Sequence, residues 1–225
     1  MNVALIIPAL NEADSLGRLL TESKLSRAQQ LIVVDNGSTD RTAEIAREHG
    51  ALVVQEPRRG YGYACAAGAA MANCDILAFM DADGSFVPEE LHRLVAPIEE
   101  QKAELVLGSR LKNDLPPGAM PPHQLYGNRL VARIINGLFA LNLTDLGPFR
   151  ALPKDLLDSL EMRELTYGWT VEMMVKVARR GSRIIEVPVT YRARFAGKSK
   201  IGGTLRGTFL ATYRIFSVVL RYGIF

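Results

Sequence analysis

The sequence is thin in the side chains that make disulfides and zinc sites. Its two cysteines, Cys65 and Cys74, sit in alanine-rich surroundings. They are too few for a disulfide framework and fit buried, reduced thiols in a cytosolic protein. Its three histidines, His49, His92 and His123, share no ligand spacing. No apolar run reaches the roughly 20 residues that span a bilayer. The start, residues 3–7, is short and has no basic lead, so no secretory signal is expected. A dinucleotide fingerprint is missing too: Gly60-Tyr61-Gly62 begins one, but the third glycine, Gly68, comes too late. Finally, residues 187–225 contain no Asp or Glu. Seven Lys and Arg side chains give that tail a charge of +7, leaving −4 on residues 1–186 of a chain whose net charge is +3. A basic end on an acidic body points to an anionic partner, without choosing among phosphate, nucleic acid and lipid.

What remains is an ordinary globular composition, 48% hydrophobic and 23% charged, at 225 residues. That length suits one domain with at most a small appendage. Apolar, branched runs at 3–7, 31–34, 51–54, 76–80 and 105–107 read as strands buried on both faces of a parallel sheet. Helical patterns near 13–22, 40–49, 61–72 and 88–99 alternate with them. Ser38, Thr39 or Asp40 suits the cap of the second, and Pro88-Glu89-Glu90 the first turn of the fourth. The order predicts a three-layer α/β/α fold with right-handed crossovers. Beyond 107 the regularity fails. Residues 109–125 are a proline-rich loop of the kind used as a lid or binding segment. Helices are expected near 126–141, 169–180 and 204–222, strands at 184–187 and 189–191, and a mobile Gly- and Lys-rich stretch at 195–203.

Acidic and polar residues gather where three of the strands end: Pro8-Ala9-Leu10-Asn11-Glu12, Asp35-Asn36-Gly37-Ser38-Thr39-Asp40 and Asp81-Ala82-Asp83-Gly84-Ser85. Open α/β sheets bind ligands outside the carboxyl ends of their strands. Any one cluster could be a helix cap or turn; three together predict one crevice. In extended backbone Asp81 and Asp83 point the same way and repel unless a cation lies between them or one is protonated. Hard oxygen donors at this spacing suit Mg2+ or Mn2+, with phosphate and water completing the shell. The same string also resembles the D-x-D-G-[ST] of haloacid-dehalogenase-type phosphatases, with Asp81 as nucleophile. That motif belongs on a first strand, whereas three βα units precede it here, and no later G-D-x-x-x-D pair follows.

The strings IIPALNEADSL, IVVDNGSTDRTAEIA, RRGYGYACAAG, FMDADGS, LVLGSRL, TDLGPFRAL, GWTVEMMVKVARRG and EVPVTYRARFAGKSK occur in the order seen in family 2 glycosyltransferases of the GT-A fold. Over residues 2–203 the chain resembles bacterial relatives of the dolichyl-phosphate mannose and glucose synthases. The resemblance implies a GT-A domain over 1–203, and the residue pattern of 204–225 predicts a C-terminal amphipathic helix. It implies that Pro8, Asn11, Glu12 and Asp35 hold the nucleotide. By position alone, Arg58-Arg59-Gly60 before the alanine-rich helix would approach a phosphate or base. Asp81-Ala82-Asp83 would meet the diphosphate, with Asp83 the more direct metal ligand. Asp145 and Arg150 would line the sugar and phosphate region. Arg192, Arg194, Ser199 and Lys200 would grip an acceptor phosphate. One departure stands out: the family pattern continues D-x-D-L-Q, and here Gly84-Ser85 follows instead.

The resemblance further implies one inverting, in-line attack with a nucleotide diphosphate leaving, and a hexose as the transferred group. A UDP- or GDP-linked donor, a polyprenyl or dolichyl phosphate acceptor and no nucleic-acid partner are expected. Glu172 lies where many members place a base, against the simpler reading of an i,i+4 pair with Lys176. A phosphate acceptor is already anionic and needs no strong base. Trp169 is expected to be a packing residue. In the last helix Arg206, Arg214 and Arg221 line one face and Phe209, Tyr213, Phe216 and Leu220 another, as in an interfacial helix on an anionic membrane. Packing on its own domain or on a second copy is the competing expectation, as is a non-catalytic nucleotide-sugar binder for the whole chain. The location expected is the cytoplasm, at the cytoplasmic face of the membrane.

Overall fold

The computed structural model describes residues 1–113, 115–117, 119–197 and 205–223, and for residues 205–213 the backbone alone. The chain runs β1 (Val3–Ala9), α1 (Ala13–Ser23), β2 (Gln30–Asp35), α2 (Thr42–Glu48), β3 (Leu52–Gln55), α3 (Tyr61–Met71) and β4 (Ile76–Phe79). A single 3-10 turn, Pro88–Glu90, leads into α4 (Leu91–Glu99) and then β5 (Leu105–Ser109). After these come α5 (Pro122–Phe139), β6 (Arg150–Pro153), α6 (Lys154–Ser159), α7 (Trp169–Arg179), β7 (Ile184–Pro188) and α8 (Leu205–Gly223). The seven strands lie in the order β3-β2-β1-β4-β6-β5-β7. All pairings are parallel except those of β6, which runs antiparallel to both β4 and β5.

The alternation of the strands sorts the core into two layers, because successive side chains point to opposite faces. Ala4, Ile6, Ile32, Val34, Leu77 and Phe79 face the layer of α3, α5, α7 and α8. Val3, Leu5, Ile7, Val33, Ile76 and Ala78 face the layer of α1 and α4. The α/β/α sandwich is therefore as the apolar runs predict. The edge strand β3 departs from them: Leu52 is 48% exposed, so this run is not buried on both faces.

Other departures lie past residue 107. β6 and α6 are additional elements. The stretch 189–191 is no strand; Tyr191 makes only an isolated bridge to Phe86. Helix α5 starts at Pro122, earlier than expected, because a proline at the first helical position has its φ preset and no N–H to satisfy. Helix α8 is not a detached appendage: Val218 and Val219 join the core under α7, and Arg179 Nη1 donates to Tyr222 O at 2.9 Å. Trp169 is buried edge-on against Phe79, with ring centroids 4.9 Å apart, as a packing residue.

Candidate active site

The crevice opens at the carboxyl ends of the paired strands β1 and β4, where the strand order reverses, β2 lying beyond β1 and β6 beyond β4. Switch points of this kind are where open α/β sheets bind ligands. A cleft of about 510 Å3 lies there, its floor formed by Pro8, Glu12, Asp81, Ala82 and Asp83. Arg59 and Gly60 form one wall. Arg194 reaches in from the segment after β7.

Each cluster is held in place by backbone donors and short side chains. Asn11 sits in the left-handed region with φ 51. It ties the β1 loop to the β2 loop: its N–H donates to Ser38 Oγ at 2.9 Å, and its Oδ1 accepts from Thr39 N at 2.7 Å. Asp35 is buried and accepts from Ser38 N at 2.8 Å. Asp40 accepts from Thr42 N at 3.0 Å at the start of α2. Asn36 staples the loop after β3: its Nδ2 donates to Glu56 O and Arg58 O, both at 2.8 Å, and its Oδ1 accepts from Gly60 N at 2.9 Å.

The electrostatics centre on Asp81. Burial pushes its carboxyl up to about 7, repulsion from Asp83 and then Glu12 adds to this, and Arg110 opposes it. Beside it the Tyr61 hydroxyl is buried next to Cys65, and burial raises its pKa well above the ordinary value. Asp83 Oδ1 accepts from Ser85 N at 3.0 Å and Ser85 Oγ at 2.6 Å. Its Oδ2 faces Arg194 Nη2 at 3.6 Å, and the same nitrogen lies 3.2 Å from Glu12 Oε1. Among the described residues no group of three or more His, Cys, Asp or Glu side chains is arranged to hold a metal unaided. The acidic pair nevertheless fits one: both donors are hard oxygens, and a cation would offset the burial and the Asp83 repulsion that together raise Asp81.

Asn11 and Asp35 hold the loops beside the cleft without lining it, and four further expected site residues lie elsewhere. Asp145 is fully buried and forms a forked pair with Arg110, at 2.7 Å on each oxygen. Burial would raise its pKa, but the Arg110 charge, the Arg110 hydrogen bonds and the Leu146 backbone donor together outweigh burial and lower it. Arg150 is fully buried, and burial pushes its pKa down to about 10. Its guanidinium donates to Gly147 O and Thr170 O at 2.9 and 2.8 Å, and also to Leu146 O. Glu172 is fully buried, accepts from Arg163 N and Glu164 N, and pairs with Lys176 at 2.7 Å. It does not line the Asp81 cleft; it holds the 163–167 loop. Arg192 packs on the Asp81–Ser85 loop, its Nε donating to Gly84 O at 2.7 Å, and pairs with Glu22. Ser199 and Lys200 lie outside the described residues.

That loop explains what the sequence reading missed. Thr166 and Tyr167 form the second wall of the cleft, and Asn36 and Tyr61 line it as well. Tyr63 N donates to Leu165 O at 2.9 Å, and a Cβ on Gly62 would lie 2.6 Å from the Leu165 backbone, so only glycine lets α3 meet this loop. Asn36 was legible as part of an acidic cluster. Thr166 and Tyr167 carry no local signal, because Glu172 and Gly62 position them from a distance.

A mainly parallel α/β sheet with an acidic pair at its switch point is the architecture of the GT-A glycosyltransferase class. Residues 4–160 match the model of glycosyl transferase family 2, and the chain belongs to that family of enzymes. It is 36% identical over 219 residues to an uncharacterised glycosyltransferase of Mycobacterium tuberculosis, across 96% of this chain and 97% of that one. It is 35% identical to the undecaprenyl-phosphate mannosyltransferase of Micrococcus luteus, across 92% and 90%. Glucosyl-3-phosphoglycerate synthase from Mycobacterium tuberculosis, solved with phosphoglyceric acid, shares the fold with a TM-score of 0.79 at 22% identity, over 99% of this chain and 80% of that one. Other structures of that synthase hold Mn2+ or Mg2+ with UDP. The phosphatase reading is not favoured: its motif sits on the fourth strand of a glycosyltransferase sheet.

Proposed function

We propose that this chain transfers a hexose, with inversion, from a UDP- or GDP-linked sugar to a polyprenyl phosphate. The observation that carries the donor half is the convergence of Glu12, Asp81 and Asp83 on one cleft at the switch point. Pro8, Asn11, Glu12 and Asp35, with Arg59 and Gly60, hold the nucleotide. Asp81 and Asp83 face the diphosphate, and Asp83 is the more direct metal ligand. A Mg2+ or Mn2+ ion bound there would offset the charge developing on the leaving nucleotide diphosphate. An anionic acceptor needs no strong base. That agrees with a site in which Glu172 supports a loop.

The acceptor half draws on the relatives and on one surface. Along the outer face of α5, Tyr126, Leu130 and Leu138 are 69%, 51% and 41% exposed, and on the neighbouring α8 Leu220 is 54% exposed. Arg129, Arg133 and Arg221 stand among them, and residues 115–144 contain no Asp or Glu. An apolar stripe rimmed by arginine fits an anionic lipid surface at the cytoplasmic side of a membrane. No helix among the described residues is long and apolar enough to cross one. A second copy of the chain is the rival occupant of this face.

The test is a thermal-shift panel of nucleotide sugars with and without Mn2+, since a ligand bound by the folded state alone raises the melting temperature. The best donor is then offered, in labelled form, to undecaprenyl phosphate in vesicles and to 3-phosphoglycerate. No metal-dependent shift with any donor removes the donor reading. Transfer to phosphoglycerate and not to the lipid phosphate keeps the donor and replaces the acceptor.

A further inference from the structure

Segment 191–197 lies across the Asp81–Ser85 loop as a strap. Arg192 N donates to Ser85 O and Phe195 N to Asp83 O, both at 2.9 Å. The Phe195 ring is held between two guanidinium groups, Arg18 at 4.0 Å and Arg192 at 4.4 Å from its centroid. Arg192 is itself paired with Glu22 of α1. The ring rests on Gly84, where a Cβ would lie 2.2 Å away and where φ is +77. The glycine that departs from the D-x-D-L-Q pattern is thus what admits the strap.

The strap delivers Arg194 to a particular place. Its Nη2 stands between Glu12 Oε1 and Asp83 Oδ2. Asp83 Oδ1 is already taken by Ser85, so Oδ2 is the oxygen a cation would use. Mg2+ binds oxygen ligands at about 2.0–2.1 Å, too close to share that approach with a guanidinium of like charge. We infer that Arg194 is a built-in counter-ion of the donor site: its bridge between Glu12 and Asp83 excludes a divalent cation from Asp83 Oδ2, and metal binding requires Arg194 to swing away. This rests on the proposal that Asp83 is a metal ligand.

Mn2+ is titrated into the full chain alone and with saturating UDP, by calorimetry and by the spin-resonance signal of unbound Mn2+. The variants are Arg194→Gln, Arg194→Lys and Phe195→Ala. A partly exposed competing ion pair contributes modestly, so Arg194→Gln binds Mn2+ about three- to tenfold more tightly than the parent. Arg194→Lys, which keeps the charge, stays within about twofold of the parent, and Phe195→Ala, which loosens the strap, falls between. Equal or weaker binding by Arg194→Gln overturns the exchange. If that variant does not fold, Phe195→Ala decides, and parental affinity there overturns it. A parent chain that binds no Mn2+ with UDP overturns the metal assignment and this inference with it. A parent that binds, with variants no tighter, overturns the inference alone.

Discussion

The molecule carries two sets of inward-facing acids, and they are partnered differently. At the switch-point cleft, Glu12, Asp81 and Asp83 crowd together, with Asp81 raised to about 7 and Arg194 bridging the other two. Behind β5 and β6, Asp145, Glu172 and Glu186 are saturated by protein donors. Asp145 takes the Arg110 fork, Glu172 two backbone N–H groups and Lys176, and Glu186 accepts from Thr144 and Asp145. The first set carries negative charge that a ligand can relieve. The second is spent on holding loops. The acids fit for a metal are those the fold leaves crowded, and the interior acids are fit for architecture.

Replacing one of each kind sharpens the contrast. The largest effect is expected from Asp145→Ala, which strands a buried guanidinium: about 3–5 kcal/mol of stability, read by denaturant unfolding. A variant as stable as the parent would dissolve the distinction. The double change Asp81→Asn with Asp83→Asn should instead leave the fold intact and weaken metal-dependent UDP binding by at least about 100-fold, measured by calorimetry with and without chelator. Glu172→Gln should cost about 2 kcal/mol in stability, the size of a charged hydrogen bond, and raise KM for the donor more than it lowers kcat. If kcat collapses at unchanged stability, Glu172 belongs with the cleft set.

The smallest effect concerns pH. Asp81 titrates higher in the folded chain than the ordinary 3.8, so the folded state binds more protons between the two values. Its contribution is complete below the lower value and is lost as pH rises to about 7. Without added metal, stability should fall by about 1–2 kcal/mol across that window, allowing for solvent in the cleft, and Asp81→Asn should flatten the fall. Identical pH profiles for the two proteins would contradict the raised carboxyl.

How far the fold could be read from residues follows from the same contrast. The first five strands announce themselves as unbroken apolar runs, and the acids at their ends are contiguous in sequence. Strand β6, Arg150-Ala-Leu-Pro, has four residues, opens on a charge and ends on a proline. Its arginine is tolerated because three carbonyls receive it: Leu146 O and Gly147 O from the turn just before the strand, and Thr170 O from the first turn of α7. Glu172 reads equally well as a base or as a strut until its donors are seen. Tyr61 and the 163–167 loop meet only in space.

The reversed strand has a practical consequence. β4 is flanked by β1 on one side and by β6 on the other, and β6 arrives only after β5 and α5 have been laid down. A fragment cut after residue 100 would keep the cleft acids Glu12, Asp81 and Asp83 but leave the fully buried Ile76–Phe79 as a bare, apolar rim. Such rims recruit strands from other molecules. The first hundred residues are thus unsuited to excision as a free-standing sugar-nucleotide module, and chimeras that exchange acceptor halves should join beyond Pro153, where β6 has closed that side.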